Sequence, residues 1–473
     1  MRTGPRKISA ALSLAILGLL ACPSPTDKSD TNTDSNSSTS ETRLSACGEE
    51  TGATGNSALT FTGDPPTNLL VISIDTLRRD ALGRYGGGDS SPFLDQVFEN
   101  SVVLDDFRAC ANWTLPGMTC AMIGQSTLEL GVEPMFPDPD EEGEAEYLDD
   151  DLETLATWLK AAGFSTALVS ASKLMSDQRP IGNGFDEVSA IWEAVADWVS
   201  TTTIETAGPL ISGTEPWYLH VHFRDPHAPF SPPEAYQGDL AGVDMGENDP
   251  RTQEGMDNIK TNWRHLSEES LADLREDALS LYAGEVRYVD DTIANLWTVL
   301  SDAGALDDTL VVFWSDHGEQ FFEHGRFQHG KSVHFGEAGA IAAFWANGLT
   351  PVAWDGPTLQ QDIVPTVLDV FGIAVPEAVS GFTVGSAPAD RVRITTTTQR
   401  LAVPIHSVER YHHLMLYGWD GATSYYHTDE DPEETNNLYT ANNEDIACLW
   451  DFLRPAIGLV DTERTSTSPT GVP

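Results

Sequence analysis

A carboxylate and an imidazole stand side by side at the end of a strongly apolar run. Residues 309–314 are β-branched, aromatic or leucine, which predicts a buried strand. Asp316-His317-Gly318-Glu319 follows that run, and Asp75 follows a similar run at 68–74. Because ligands bind beyond the carboxyl ends of the strands in open α/β sheets, we expect these side chains to meet there. Oxygen and nitrogen ligands of this kind suit one divalent cation.

The elements that must position these residues alternate between strand and helix from residue 67 onwards. Besides the two runs above, the pattern predicts the strands 164–169, 217–223 and 340–345 and the helices 91–101, 152–160 and 285–300. This alternation predicts an α/β fold, with a mostly parallel central sheet and helices on both faces. After about residue 400, shorter aromatic stretches predict a small C-terminal antiparallel α+β subdomain. The predicted domain is therefore 67–400, the subdomain 401–460 and the tail 461–473.

The charge of the chain excludes one class of partner. Acidic residues number 73 against 26 basic residues, and the net charge is −47 over 473 residues. A surface this acidic repels nucleic acid, so we expect no nucleic-acid partner. Lysine is scarce, which makes Lys331, close behind the Asp316-His317 pair, more informative than in an ordinary protein.

The N-terminus has the features of an export signal. Arg2, Arg6 and Lys7 precede a short apolar stretch over 8–20, the pattern of a signal peptide at 1–21. The residues ending in Ala21-Cys22 resemble a bacterial lipobox, which implies cleavage before Cys22 and acylation of its thiol. Pro23 after that cysteine is similar to lipoproteins sorted to the outer membrane, so we expect anchoring there or at the periplasmic face. Residues 22–66 are rich in small polar residues and predict a disordered tether.

Four further cysteines allow disulfides in an exported protein. They are Cys47, Cys110, Cys120 and Cys448, which allow three pairings. A local bridge between Cys110 and Cys120 is attractive, and buried free thiols are the alternative.

Five stretches in the same order resemble the sulfatases, within the alkaline phosphatase superfamily. They are residues 68–86, 224–230, 282–291, 310–331 and 431–438. The resemblance spans roughly residues 67–440. It implies a metal-dependent hydrolase of sulfate or phosphate esters, acting on a small molecule, a glycan or a lipid ester.

The nucleophile position departs from the family pattern. Sulfatases carry Cys or Ser before x-Pro-Ser-Arg, and that residue is oxidised to formylglycine. The aligned residues here are Thr114-Leu115-Pro116-Gly117-Met118, and threonine cannot become formylglycine. Threonine nucleophiles occur elsewhere in the superfamily, which implies that Thr114 is both the nucleophile and a metal ligand beside Asp75, Asp316 and His317. Pro116 suits a first helical position, so we expect Thr114 just before a helix N-terminus, where free N–H groups favour an oxyanion.

Three more residues take roles from the same resemblance. His227 matches a histidine that contacts the substrate or its leaving group. Lys331 matches the lysine that binds the ester's oxyanion, and His329 is a general acid or a ligand. For the metal, Ca²⁺, Mn²⁺ and Zn²⁺ stay open; sulfatases use Ca²⁺, but His317 and Thr76, where a second Asp is usual, favour Mn²⁺ or Zn²⁺.

Two other functions fit the same sequence. The loss of the Ser and the Arg beside the nucleophile position suits a catalytically degenerate binding protein on the cell surface. A lipid anchor suits a transferase of phosphate head groups. The intact Asp316-His317 pair and Lys331 favour the hydrolase.

Overall fold

The described part of the chain is built around one large sheet. The computed structural model describes residues 44–48, 57–130, 151–397 and 404–459. Its strands are β1 Asn68–Ile74, β2 Val102–Leu104, β3 Phe107–Arg108, β4 Ser165–Ser170, β5 Glu187–Ala190, β6 Trp217–Phe223, β7 Thr309–Ser315, β8 Ala342–Trp345, β9 Val352–Trp354, β10 Thr358–Leu359, β11 Arg393–Thr396, β12 Ile405–Arg410, β13 His413–Gly418 and β14 Thr423–His427. Its α-helices are α1 Pro92–Phe98, α2 Thr114–Ile123, α3 Leu155–Ala161, α4 Ala196–Ser212, α5 Gln253–Asn262, α6 Glu268–Asp302, α7 Phe335–Ala338, α8 Ile363–Val370 and α9 Glu444–Ala456. None of these helices combines the length and the apolar character that a membrane crossing requires.

The central sheet is mostly parallel, as the alternation of strands and helices predicted. Its order is β5-β4-β6-β1-β7-β8-β2-β9. The pairs from β5 to β7 are all parallel, whereas β8 runs antiparallel to both of its neighbours. The carboxyl ends of β1, β6 and β7 therefore lie at one edge, with β1 between the other two.

Helices cover both faces of this sheet, which explains why its strands are apolar on both sides. Along β1, Leu70 and Ile72 belong to one core cluster, together with residues of α1, α4 and α6. Leu69 and Val71 belong to the opposite cluster, together with residues of α2, α3 and α8. Side chains alternate between the faces of a strand, so this single strand packs against both layers and is held firmly where Asp75 leaves it.

A second, antiparallel sheet forms the predicted C-terminal subdomain. Its order is β11-β12-β13-β14, and α9 packs against it. The sheet already begins at Arg393, ahead of the boundary predicted at residue 401, because β11 pairs with β12. The buried Arg108 joins the subdomain to the main domain, since its guanidinium lies 2.6 Å from Glu409 and 3.3 Å from Glu434.

The end of the predicted tether packs on the folded domain, so the expectation of disorder over the whole of 22–66 is wrong there. Leu59 is buried, and Phe61 forms a β-bridge with Leu349, because these apolar side chains gain by leaving water. Cys47 forms a disulfide with Cys448. The predicted signal peptide, Cys22 and the tail 461–473 lie outside the described residues.

Candidate functional site

The four predicted metal ligands come together at the edge where β1 and β7 end. Asp75 follows β1, Asp316 and His317 follow β7, and Thr114 begins α2. The hydroxyl oxygen of Thr114 lies 3.5 Å from Asp75 Oδ1 and 3.5 Å from His317 Nε2. His317 Nε2 lies 3.6 Å from Asp75 Oδ1 and 3.4 Å from Asp316 Oδ2. All four side chains are buried, so these four atoms surround one small, water-poor space.

The donor set of this space fits a cation. Asp316 Oδ1 accepts hydrogen bonds from the backbone N–H groups of Thr76 and His317, whereas the buried Oδ2 has no hydrogen-bond partner. His317 Nδ1 lies 2.8 Å from the carbonyl oxygen of Gly318, a contact that places the proton on Nδ1 and leaves Nε2 as an electron-pair donor towards the oxygens. The residues Asp75, Asp316 and His317 therefore match the chemistry of a divalent metal site.

Electrostatics support the same conclusion. Burial, followed by the nearby charge of Asp316, raises the pKa of Asp75 well above its ordinary value. Burial also raises the pKa of Asp316 to about 7. Two buried carboxylates facing each other repel, and a bound cation offsets both this repulsion and the lost hydration.

Thr76 makes the sharp turn that this arrangement needs. Its φ is +54°, in the left-handed region that β-branched residues rarely adopt. The turn points the Thr76 N–H at Asp316, 3.1 Å away. Backbone conformations of this kind cluster at functional sites, where the surrounding structure holds them in place.

The segment predicted to hold the nucleophile is a buried helix start, and the helix begins two residues before the predicted first residue, Pro116. Helix α2 begins at Thr114 itself, with Trp113 as the N-cap, so Pro116 is its third residue rather than its first. A Cβ at Gly117 would come within 2.7 Å of the Asp316 carbonyl oxygen, so α2 packs directly on the metal loop. The hydroxyl of Thr114 thus lies at the positive end of a helix and beside the carboxylates.

Two buried amide side chains, which sequence reasoning missed, connect this segment to its neighbours. Gln360 accepts from the Cys110 N–H at 2.9 Å and donates to the carbonyl oxygens of Ser315 at 3.1 Å and Asp316 at 2.5 Å. Asn112 donates to Ser332 O at 2.7 Å and to Glu337 Oε2 at 2.9 Å. The sequence signal for Gln360 was its position in a polar run within an otherwise apolar stretch.

The local disulfide predicted between Cys110 and Cys120 is present. Cys110 is bonded to Cys120, so a short covalent loop encloses Thr114. With the Cys47–Cys448 bond, all four of these cysteines are paired, and the alternative of buried free thiols is wrong.

His227 and His329 form a row of imidazoles with His317. The ring centre of His329 lies 4.6 Å from that of His317 and 5.0 Å from that of His227. His329 Nδ1 lies 3.1 Å from the buried Glu319 carboxylate. His227 Nδ1 lies 2.6 Å from the Ala228 carbonyl oxygen. Burial and the neighbouring Arg224 charge lower the pKa of His227, so this ring is neutral.

Lys331 lies on the same loop, two residues beyond His329. Its ammonium donates to the Phe327 carbonyl oxygen at 2.7 Å, and its backbone N–H donates to Glu337 at 3.0 Å. Burial lowers the pKa of Lys331. The loop is therefore firmly held, and the oxyanion contact of Lys331 stays a prediction.

Comparison with known proteins identifies the family of this site. A family model described as "Sulfatase" matches residues 67–373. An arylsulfatase of Clostridium perfringens is 25% identical over 273 residues, which cover 51% of this chain and 52% of that protein. A choline-sulfatase of Rhizobium meliloti is 26% identical over 235 residues, which cover 47% of this chain and 44% of that protein. The chain thus spans about half the length of these curated relatives.

Solved structures share the fold. One, in complex with its substrate D-glucosamine-2-N,6-O-disulfate, has a TM-score of 0.67 at 18% identity and covers 84% of this chain and 98% of its own. A phosphonate monoester hydrolase from Silicibacter pomeroyi has a TM-score of 0.63 at 18% identity and covers 84% of this chain and 97% of its own.

Proposed function

The chain belongs to the sulfatase family, and on that premise we propose that it is a metal-dependent hydrolase of sulfate or phosphate esters with Thr114 as its nucleophile. The observation that carries the proposal is the position of the Thr114 hydroxyl oxygen, 3.5 Å from both Asp75 and His317. A hydroxyl at a helix start and beside a cation site is in the right place to become an activated nucleophile.

The cation would be held by Asp75, Asp316, His317 and Thr114. When bound, a divalent ion supplies positive charge that lowers the pKa of a coordinated hydroxyl and polarises the ester oxygen. The nitrogen ligand His317, and Thr76 in place of a second carboxylate, favour Mn²⁺ or Zn²⁺ over Ca²⁺.

The chain's own residues account for the remaining steps. Thr114 gives up its hydroxyl proton to solvent, and Oγ1 bonds to sulfur or phosphorus while the bond to the leaving oxygen breaks on the opposite side. Water then attacks the same sulfur or phosphorus, the bond to Oγ1 breaks, and Thr114 regains a proton. His329, paired with Glu319, gives a proton to the leaving oxygen. His227 is neutral with Nδ1 towards a carbonyl oxygen, so it accepts a hydrogen bond from the substrate. Lys331 supports the charge on the transferring group.

Export and anchoring belong to the same proposal. Two disulfides suit an oxidising compartment. They use the four cysteines other than Cys22, whose thiol would carry the lipid that anchors the protein to the outer membrane or the periplasmic face.

The choice of ester follows from two kinds of relative. The arylsulfatase and choline-sulfatase named above favour sulfate esters, whereas the phosphonate monoester hydrolase fold and a threonine nucleophile favour phosphorus esters. The substrate is a small molecule, a glycan or a lipid that carries such an ester.

The test uses nitrophenyl sulfate, phosphate, phosphodiester and phosphonate with several divalent ions. We expect the wild type to turn over at least one ester, and Thr114→Ala to lower kcat by about 10³-fold or more. Thr119→Ala is the matched control, because Thr119 is a buried threonine of the same helix and its hydroxyl donates to the Leu115 carbonyl oxygen. Full turnover by Thr114→Ala would assign the nucleophile elsewhere. If the wild type binds no metal in buffer that contains divalent ions and hydrolyses none of the esters, the alternative of a surface binding protein is favoured.

A further inference from the structure

Four polar side chains form a hydrogen-bonded row inside the core, between β6 and β1, and we call them the polar row. Tyr218 Oη lies 3.0 Å from His220 Nδ1, His220 Nε2 lies 2.9 Å from Ser73 Oγ, and Ser73 Oγ lies 3.0 Å from His222 Nδ1. All four residues are fully buried. The last nitrogen of the row, His222 Nε2, has no hydrogen-bond partner within the described part of the chain. An open buried polar atom costs free energy, so its presence indicates a group that it binds.

The polar row ends beneath the candidate metal site. At its other end, the Tyr218 hydroxyl donates to Met122 Sδ at 3.8 Å, near the end of α2. Strand β6 runs from Tyr218 towards the site edge of the sheet, whereas α2 begins at that edge with Thr114 and runs away from it. The distance from Tyr218 to His222 is about 13 Å along the strand, and that from Met122 to Thr114 is about 12 Å along the helix. His222 therefore lies under the first turn of α2, close to Thr114.

The register of β1 gives the same position for His222. Ser73 pairs with His222, and Asp75, two residues further along, lies on the same face of β1 as Ser73. The N–H of Asp75 donates to the carbonyl oxygen of Phe223, the next residue after His222, at 2.9 Å. Burial, followed by the nearby charge of His317, lowers the pKa of His222 to about 3. The His222 ring is therefore neutral and lies in the electrostatic environment of a predicted metal ligand.

The hydrogen bonds of the polar row determine which nitrogen of His222 carries the proton. Ser73 Oγ has one proton, which it donates to His220, to His222 or to the Val221 carbonyl oxygen, 3.5 Å away. In the first and third cases, His222 Nδ1 carries the proton that faces Ser73, and Nε2 carries an electron pair. In the second case, Nε2 would be a buried N–H group without an acceptor, which native structures rarely contain. His222 Nε2 is therefore an electron-pair donor.

We propose that His222 is a positioning residue of the candidate metal site, and that its Nε2 accepts a hydrogen bond from an oxygen ligand of the cation, such as a bound water. The inference rests on the proposed function and adds an imidazole to the surroundings of the cation. A direct bond to the metal fits less well, because His222 lies outside the group of ligand atoms, all within 4.8 Å of one another, that Asp75, Asp316 and His317 supply. A hydrogen bond of this kind orients the metal's ligand and strengthens metal binding.

Two substitutions separate the open nitrogen from the rest of the ring. His222→Asn places an amide nitrogen near the position of Nδ1, so it keeps the bond to Ser73 and loses Nε2. His222→Gln instead carries a polar atom to the position of Nε2.

The assay is a titration of the metal-free protein with Zn²⁺ against a competing chelator, with urea unfolding in EDTA as the check on the fold. We expect His222→Asn to weaken Zn²⁺ binding by about 10- to 100-fold, and His222→Gln to recover part of this loss. His406→Asn is the control, because His406 is an equally buried histidine that lies in β12 of the C-terminal subdomain.

The outcomes separate this inference from the proposed function. A wild type that binds no Zn²⁺ overturns the proposed metal site and the role of His222 with it. If the wild type and a folded His222→Asn bind Zn²⁺ with the same dissociation constant, the role of His222 alone is overturned. An equal loss in His406→Asn also overturns it, because the loss then reflects stability.

If His222→Asn does not fold, Ser73→Ala is the second variant. It removes the hydroxyl that holds Nδ1 of His222, so it should also weaken Zn²⁺ binding. An unchanged dissociation constant in Ser73→Ala would then overturn the inference.

Discussion

Replacing Asp316 by asparagine tests two effects of the candidate metal site: its contribution to turnover and the free energy of unfolding that its buried charge costs. In the metal-free protein, burial raises the pKa of the Asp316 carboxyl from 3.8 to about 7. The folded state therefore holds a proton on this group that the unfolded state releases near pH 4. The contribution of Asp316 to the free energy of unfolding falls as the pH rises from about 4 to about 7, and the full penalty applies above that range.

The magnitude follows from the two pKa values. A difference of about 3 pH units corresponds to about 4 kcal/mol of unfolding free energy. Asp316→Asn removes the charge and keeps the useful contacts. Its amide oxygen still accepts from Thr76 and His317, and its amide nitrogen replaces the oxygen that lies 3.4 Å from His317 Nε2. We therefore expect the metal-free variant to be more stable than the metal-free wild type at pH 8, by up to about 4 kcal/mol, and equal to it near pH 4.

The assay is urea unfolding in EDTA at pH 4, 6 and 8, repeated with saturating Mn²⁺ or Zn²⁺. At 100 times the dissociation constant the metal stabilises the wild type by about 2.7 kcal/mol, whereas the variant gains little and loses turnover. Asp249→Asn is the control. A hydrogen bond from Arg251 lowers the pKa of Asp249, so the charge of Asp249 stabilises the folded state at pH 8 and its removal should lower the free energy of unfolding there. A wild type whose stability relative to Asp316→Asn does not change between pH 4 and pH 8 would refute the reasoning.

Two further substitutions test residues near Thr114, the proposed nucleophile. Lys331→Ala should lower kcat/KM by about 10²-fold in steady-state assays. Lys260→Ala is the control, because Lys260 is exposed. An unchanged kcat/KM in Lys331→Ala would show that Lys331 does not contact the substrate. Gln360→Leu breaks hydrogen bonds to the backbone of Cys110, Ser315 and Asp316. We therefore expect kcat to fall about tenfold or more, together with weaker metal binding in a metal titration. Gln361→Leu, whose amide nitrogen donates to Ser380 and whose amide oxygen lies 3.9 Å from Cys110 Sγ, should keep both values, because it binds no backbone group of Ser315 or Asp316. Equal losses in the two variants would contradict a positioning role for Gln360.

Much of the fold, and the meeting of Asp75 with Asp316, could be predicted because both depend on local patterns. Asp75 and Asp316 end two apolar runs, and parallel strands bring such ends together whatever the distance between them in the chain. Asn112 and Gln360 could not be predicted in the same way, since their partners are mainly backbone groups, which every residue carries. The left-handed turn at Thr76 could not be predicted either, because β-branched residues rarely adopt a positive φ.

Element limits were predicted less well, for a related reason. The apolar spacing at 285–300 predicted a helix, but α6 extends back to Glu268. Its first turns are largely exposed and begin at a Ser267 cap, so they carry a weak apolar signal. The end of the tether was missed because Leu59 and Phe61 are isolated apolar residues in a polar stretch, and only the tertiary structure gives them a surface to cover.

The bond between Cys47 and Cys448 decides where mechanical load enters the protein. Ala46 is buried, and Arg410 donates to its carbonyl oxygen at 2.7 Å. A pull on the chain ahead of Leu44 is therefore transmitted through a covalent link into α9 and the antiparallel sheet. The strands that carry Asp75 and Asp316 belong to the other, central sheet, so in the proposed lipid-anchored form the C-terminal subdomain would take up such a load first.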